Sequence, residues 1–174
     1  MTETIKNKGV NLKTKNFERP IANLNKETAG TTTKALNTLL ANEYAVFTKT
    51  LNYHWNVTGP RFHSIHNFLE TQYRDLLEIM DNIAERVRII GETPISTVEK
   101  MKAAMDIDET NGEALGSNEM LDDLLFSHMK IQTHLKEVIT NDKLFENDPG
   151  TEDFLVGLLQ KHESMSWMLK SHLD

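Results

Sequence analysis

Between His63 and Ile90 the apolar side chains Ile65, Phe68, Leu69, Leu76, Ile79, Ile83, Val87 and Ile90 recur at helical spacing over about eight turns. A period held that long, with Gly91 following as a C-terminal cap, commits the segment to one amphipathic helix whose apolar stripe needs a partner surface. Three further runs share the period. The first extends from about Thr31 to Val57, with Leu36, Leu39, Leu40, Tyr44, Phe47, Leu51 and Trp55 as its apolar residues, and is stopped by Gly59 and Pro60. Another runs from about Asn118 to Thr140, with Leu121, Leu124, Leu125, Met129, Leu135 and Val138 as core candidates. The last has Asp148 as a natural N-cap and Pro149 at the first helical position, followed by Phe154, Leu155, Leu158, Leu159, Met165, Met168 and Leu169.

Short connections join the first pair of helices and the last pair, whereas a long one reaches from Gly91 to Gly116. Within it "STVE", Ser96 to Glu99, reads as a capping box that opens a short helix through about Ala104. No strand pattern or internal repeat is evident. The topology predicted is all-α: a four-helix bundle of the ferritin-like kind, two antiparallel hairpins joined by a crossover that carries a short extra helix.

The polar residues of the second long helix are as patterned as the apolar ones. With His66 at zero and ~100° per residue, Glu70 falls near ~40°, Asp81 near ~60° and Glu85 near ~100°, while the apolar stripe centres near ~270°. The stripe therefore points away from the bundle's own core. A solvated face would account for it, but the residue types suit a cation: His66 with Glu70, and Asp81 with Glu85, are each four residues apart and can aim two ligands at one ion. The two halves lie ~22 Å apart along the axis and cannot meet within one chain. Two copies packed antiparallel about a two-fold axis would bring the His66 end of one to the Asp81 end of the other, creating two equivalent sites. His54, in the last turn before the Gly-Pro break, can join the His66 end. The chain has no Glu-x-x-His, the motif that ferritin-like di-iron proteins place inside the bundle, which favours the site between subunits.

"HWNVTGPRFHSIHNFLE" followed by "DNIAER" resembles the ferroxidase signature of the Dps family, the DNA-protection-during-starvation mini-ferritins. The similarity extends from about Thr31 to the C-terminus, including the closing "HESMSWMLKSHL". It implies a hollow homododecamer that oxidises Fe(II), preferably with hydrogen peroxide, and stores ferric iron. It also implies a metal site made of His54, His66 and Glu70 from one subunit and Asp81 and Glu85 from its two-fold mate. Glu70 stands where the family usually has Asp. Trp55 matches the family's tryptophan beside the centre, where it takes part in electron transfer, whereas His63 matches no family ligand and reads as a surface or interface histidine. The family's acidic three-fold pore lies near the start of the last helix, which makes Asp148 and Asp153 candidates for guiding iron inward. Asp142, Glu146 and Glu152 crowd the same segment, where charge complementary to a helix N-terminus is the competing explanation.

Charge and cysteine content set the remaining limits. The chain has no cysteine, so thiolate zinc sites, iron–sulfur clusters and disulfides are excluded, and any metal must use nitrogen and oxygen ligands. The net charge of −7 is uneven: Lys6, Lys8, Lys13, Lys15 and Arg19 outweigh Glu3 and Glu18 in the first 20 residues, giving +3 there and −10 elsewhere. Residues 1–25 are read as a flexible basic tail and 26–174 as the bundle domain. An acidic body repels nucleic acid, but an assembly multiplies the tail, so non-specific DNA contact through those basic residues is the alternative principal function, with iron chemistry secondary. A third reading, a purely structural helical assembly, leaves the complementary half-sites without a purpose. The absence of an apolar run of membrane-spanning length and of a hydrophobic leader pattern predicts a cytoplasmic protein, associated with the nucleoid if the tail binds DNA.

Overall fold

The computed structural model describes residues 22, 24–110, 115–145 and 147–174, apart from the side chains at 142 and 143. Six helices and no strand occur among the described residues: α1 (Lys26–Asn56), α2 (Phe62–Ile90), α3 (Val98–Ala104), α4 (Ser117–Ile139), α5 (Asp142–Phe145) and α6 (Pro149–Ser171). The four long ones form the bundle. Helix α1 packs on α2 and α4 on α6 as hairpins, and α1 against α4 closes the two pairs on each other. Their inward faces meet in one core that includes Leu36, Leu39, Ile65, Leu76, Ile83, Leu124, Ile131 and Leu158.

The ends of the helices follow local chemistry. Asn25 caps α1 by accepting from the Thr28 N–H at 2.9 Å, so the helix begins five residues before the apolar period becomes visible. Ahead of it, Leu24 is buried and the Ala22 N–H donates to the Ile89 carbonyl at 3.2 Å, which ties the start of the described chain to the end of α2. Gly91 closes α2 at φ 100°, a left-handed conformation suited to glycine. Asp148 and Pro149 open α6 as the sequence predicts.

Other details differ from the sequence reading. The cap of α3 is Thr97, whose hydroxyl accepts from the Lys100 N–H at 3.3 Å, and not Ser96. The single-turn helix α5 lies unanticipated in the last hairpin. Met129 and Trp55 are exposed, whereas Tyr53, Val46 and Ile131 are core residues. On α4 the inward positions are Leu121, Leu124, His128, Ile131 and Leu135, so a histidine occupies the core slot beside Met129. Reading the stripe by hydrophobicity alone passes over it.

The crossover is docked by two asparagines of α1: Asn37 accepts from the Ile95 N–H at 3.1 Å and Asn42 from the Asp106 N–H at 2.7 Å. Arg61, the N-cap of α2, donates to the Asn118 amide oxygen at the start of α4 and to the His172 carbonyl beyond α6 at 2.8 Å. The starts of α2 and α4 therefore share one end of the bundle, and the crossover runs its length.

Candidate metal centre

The first hairpin turns through Val57 to Arg61, with Gly59 at φ 101°. That turn brings His54, in the last turn of α1, against His66 of α2. The rings stack with centroids 3.8 Å apart and an interplanar angle of 22°. Each Nδ1 lies 2.9 Å from the backbone carbonyl of the other histidine. A carbonyl only accepts, so each Nδ1 carries the proton and each Nε2 keeps its lone pair, the arrangement of a histidine poised for metal. Tyr73 meets the His54 ring edge-on at 5.2 Å and Phe62 lies 5.0 Å from the His66 ring. His54 is only 8% exposed, and the pair is held by packing as well as by hydrogen bonds.

Glu70, one turn beyond His66, is not free. Its Oε1 accepts from Arg74 Nη2 at 2.5 Å and Nε at 3.1 Å. That hydrogen bond, and then the guanidinium charge, hold the Glu70 carboxyl below the ordinary carboxylate range, with smaller contributions from His54 and His66. Asp81 and Glu85 lie exposed further along α2, and no hydrogen bond or ion pair to another described residue engages either carboxylate. Among the described residues of one chain, no three histidine, aspartate or glutamate side chains are gathered to hold a metal ion. The structure thus brings His54 to His66, sets Glu70 beside them and leaves Asp81 and Glu85 separate.

Trp55 follows His54 and is 69% exposed. His63 is exposed and pairs with the Asn67 amide at 3.2 Å, one turn along its own helix. Asp148 is 4% exposed: its carboxylate accepts from Arg86 Nη2 at 2.7 Å, from the Thr151 N–H at 3.1 Å and from the Thr151 hydroxyl. Its charge is already matched within the chain, whereas Asp153 is exposed. Lys6, Lys8, Lys13, Lys15 and Arg19 lie outside the described residues, as do Glu146 and the side chain of Asp142.

Sequence reasoning missed Arg74, although its spacing from Glu70 is the ordinary i,i+4 ion-pair signal. It also missed Tyr73, which reads as one more apolar residue until it is seen against His54.

A bundle of this topology, with an imidazole pair at one end of its first hairpin and carboxylates along the second helix, defines a ferritin-like protein. The Ferritin family, described as a ferritin-like domain, matches residues 33–174. The chain is 37% identical over 139 residues to a low temperature-induced protein of Nostoc sp., covering 80% of this chain and 78% of that protein. It is 31% identical over 146 residues to DNA protection during starvation protein 2 of Bacillus anthracis, covering 81% and 95%. The crystal structure of a Dps protein from Bacillus brevis superposes with a TM-score of 0.80 at 27% identity, covering 87% of this chain and 100% of that one. The chain belongs to the Dps family of ferritin-like proteins.

No helix among the described residues is long and apolar enough to cross a membrane.

Proposed function

We propose that this protein is a mini-ferritin that oxidises Fe(II) with hydrogen peroxide at sites shared by two-fold-related subunits, and stores the ferric product inside a homododecamer. The observation that carries the reading is the His54–His66 pair, whose Nδ1 atoms are both committed to carbonyls and whose Nε2 atoms are left to a ligand. Glu70 completes this half. Asp81 and Glu85 of a second copy supply the other half, since ~22 Å of helix separates them from His66 within their own chain.

Iron is the substrate. Two Fe(II) ions each give one electron to hydrogen peroxide, its O–O bond breaks, and two protons complete two water molecules. Imidazole and carboxylate suit Fe(II), and the carboxylates stabilise the higher charge of Fe(III), which favours the oxidation. Trp55, which follows His54 in the chain and is exposed, would take up a stray oxidising equivalent. Asp153 is the better candidate for an acidic passage, because the Asp148 charge is matched by Arg86. Removing Fe(II) and peroxide together limits radical damage, the protective role that suits a cytoplasmic protein.

Co-expression of two variants tests the shared site. His54→Ala/His66→Ala and Asp81→Ala/Glu85→Ala are each inactive alone in peroxide-driven Fe(II) oxidation. Mixed assemblies regain about a quarter of the sites, because an isologous interface between unlike subunits restores one of its two sites. No recovery in mixed assemblies defeats the shared-site assignment.

The DNA-protection names of relatives such as the Bacillus anthracis protein support a second role, non-specific DNA contact through Lys6, Lys8, Lys13, Lys15 and Arg19. Mobility shifts with and without residues 1–22, across a salt series, decide it: retardation that depends on neither tail nor salt, or none at all, removes this role.

A further inference from the structure

The middle of the bundle contains a polar group that the proposed ferroxidase site does not use. Glu43 of α1, His128 of α4 and His162 of α6 are each 0% exposed. Glu43 Oε1 lies 2.8 Å from His162 Nε2, and His162 Nδ1 lies 2.9 Å from His128 Nδ1. Yet both Glu43 oxygens, His162 Nε2 and His128 Nε2 have no hydrogen-bond partner among the described residues, so the short approach of Nε2 to Oε1 is not along an N–H direction.

We propose that the bundle interior holds one divalent transition-metal cation between the Glu43 carboxylate and His162 Nε2, with His128 positioning His162 from behind.

The proton count supports this placement. The two facing Nδ1 atoms share one proton. If His162 supplies it, its Nε2 is a bare lone pair 2.8 Å from a carboxylate oxygen, which is repulsive unless a cation lies at the contact. The same donation fixes the tautomer of His162, as the outer partner of a metal-bound histidine does.

Charge leads to the same point. An ionised carboxylate with two unpartnered oxygens in a bundle core is strongly disfavoured, and a cation removes the penalty. One carboxylate and one imidazole suit a borderline ion such as Zn(II), Co(II) or Fe(II). A single carboxylate, in a chain without Glu-x-x-His, argues for one ion and not for a bridged pair. This site differs from the intersubunit centre in residues, helices and burial.

The test uses the assembled full chain carrying Asp81→Ala and Glu85→Ala, which disables the intersubunit centre. After chelation, loading with Zn(II) and desalting, we expect about one zinc per chain to be retained, and Glu43→Gln or His162→Gln to abolish it. His128→Leu should speed zinc release about 10–100-fold, and His128→Gln, whose amide oxygen can accept the same Nδ1–H, should restore slow release. Anomalous diffraction at the zinc edge on the assembled parent requires no substitution inside the bundle, and a peak at the Glu43–His162 contact is expected. No retained zinc, retention indifferent to both substitutions, or no peak at that contact overturns the proposal.

Discussion

His54 and His66 clasp each other: each imidazole donates its Nδ1–H to the other's backbone carbonyl at 2.9 Å while the rings stack 3.8 Å apart. Neither orientation is independent of the other. His54→Ala and His66→Ala should therefore each weaken Fe(II) binding by at least about 10–100-fold, and the double variant should add much less than the sum. Anaerobic Fe(II) titration of the three variants measures the coupling; additive losses would show that the clasp does not organise the site.

In the proposed site Arg74 would compete with metal for Glu70, whose carboxylate it already engages. Arg74→Ala should raise Fe(II) affinity at neutral pH, because the carboxylate no longer has to leave a guanidinium 2.5 Å away. The Glu70 carboxyl should at the same time titrate closer to the ordinary carboxylate value, since its largest depressing cause is gone. Ionisation then requires a higher pH than in the parent. Carbon-detected NMR of the Glu70 carboxyl in the metal-free protein reads the shift, and calorimetry reads the affinity.

Asp148 caps α6 and ties it to α2 through Arg86. Asp148→Ala removes the cap and strands a half-buried guanidinium, a loss of about 3 kcal/mol. Asp148→Asn keeps a capping oxygen and should lose less. Urea unfolding followed by circular dichroism at fixed protein concentration ranks the three proteins.

Tyr53 donates to Asp123 at 2.7 Å, and Asp123 also receives the buried Lys49 ammonium at 2.8 Å. Tyr53→Phe should cost about 1.5–3 kcal/mol, the range of a hydrogen bond to a charged group. Burial first, and the Asp123 carboxylate second, push the Tyr53 phenol above its ordinary value of 10.0. The folded state therefore holds this proton more tightly than the unfolded chain. Its stabilisation is complete below pH 10.0 and is lost as pH rises beyond it, so the alkaline fall in melting temperature should be shallower in Tyr53→Phe.

Much of this molecule was legible because helices are written locally. The stripe ending at Ile90, the stop at Gly59 and Pro60, and the Asp148-Pro149 start each depend on residues within a few positions of one another. The polar stripe of α2 was legible for the same reason, since helical angle follows from sequence number alone. Errors arose where a choice between neighbouring faces depended on what lay opposite. Met129 and Trp55 are apolar and in period, yet the bundle turns them outward and buries His128 and Tyr53 instead.

Sequence by itself determined the four helices, their order and the separation of His66 and Glu70 from Asp81 and Glu85 along α2, because backbone period and helix length need no partner. Only the tertiary structure decided how polar side chains distant in sequence meet: the His54–His66 clasp across the hairpin, the matching of the Asp148 charge by Arg86, and the Glu43–His162–His128 contact inside the bundle. Those relations depend on ångström-scale approach between different helices, which the rotation and axial offset of packed helices set and no local pattern encodes.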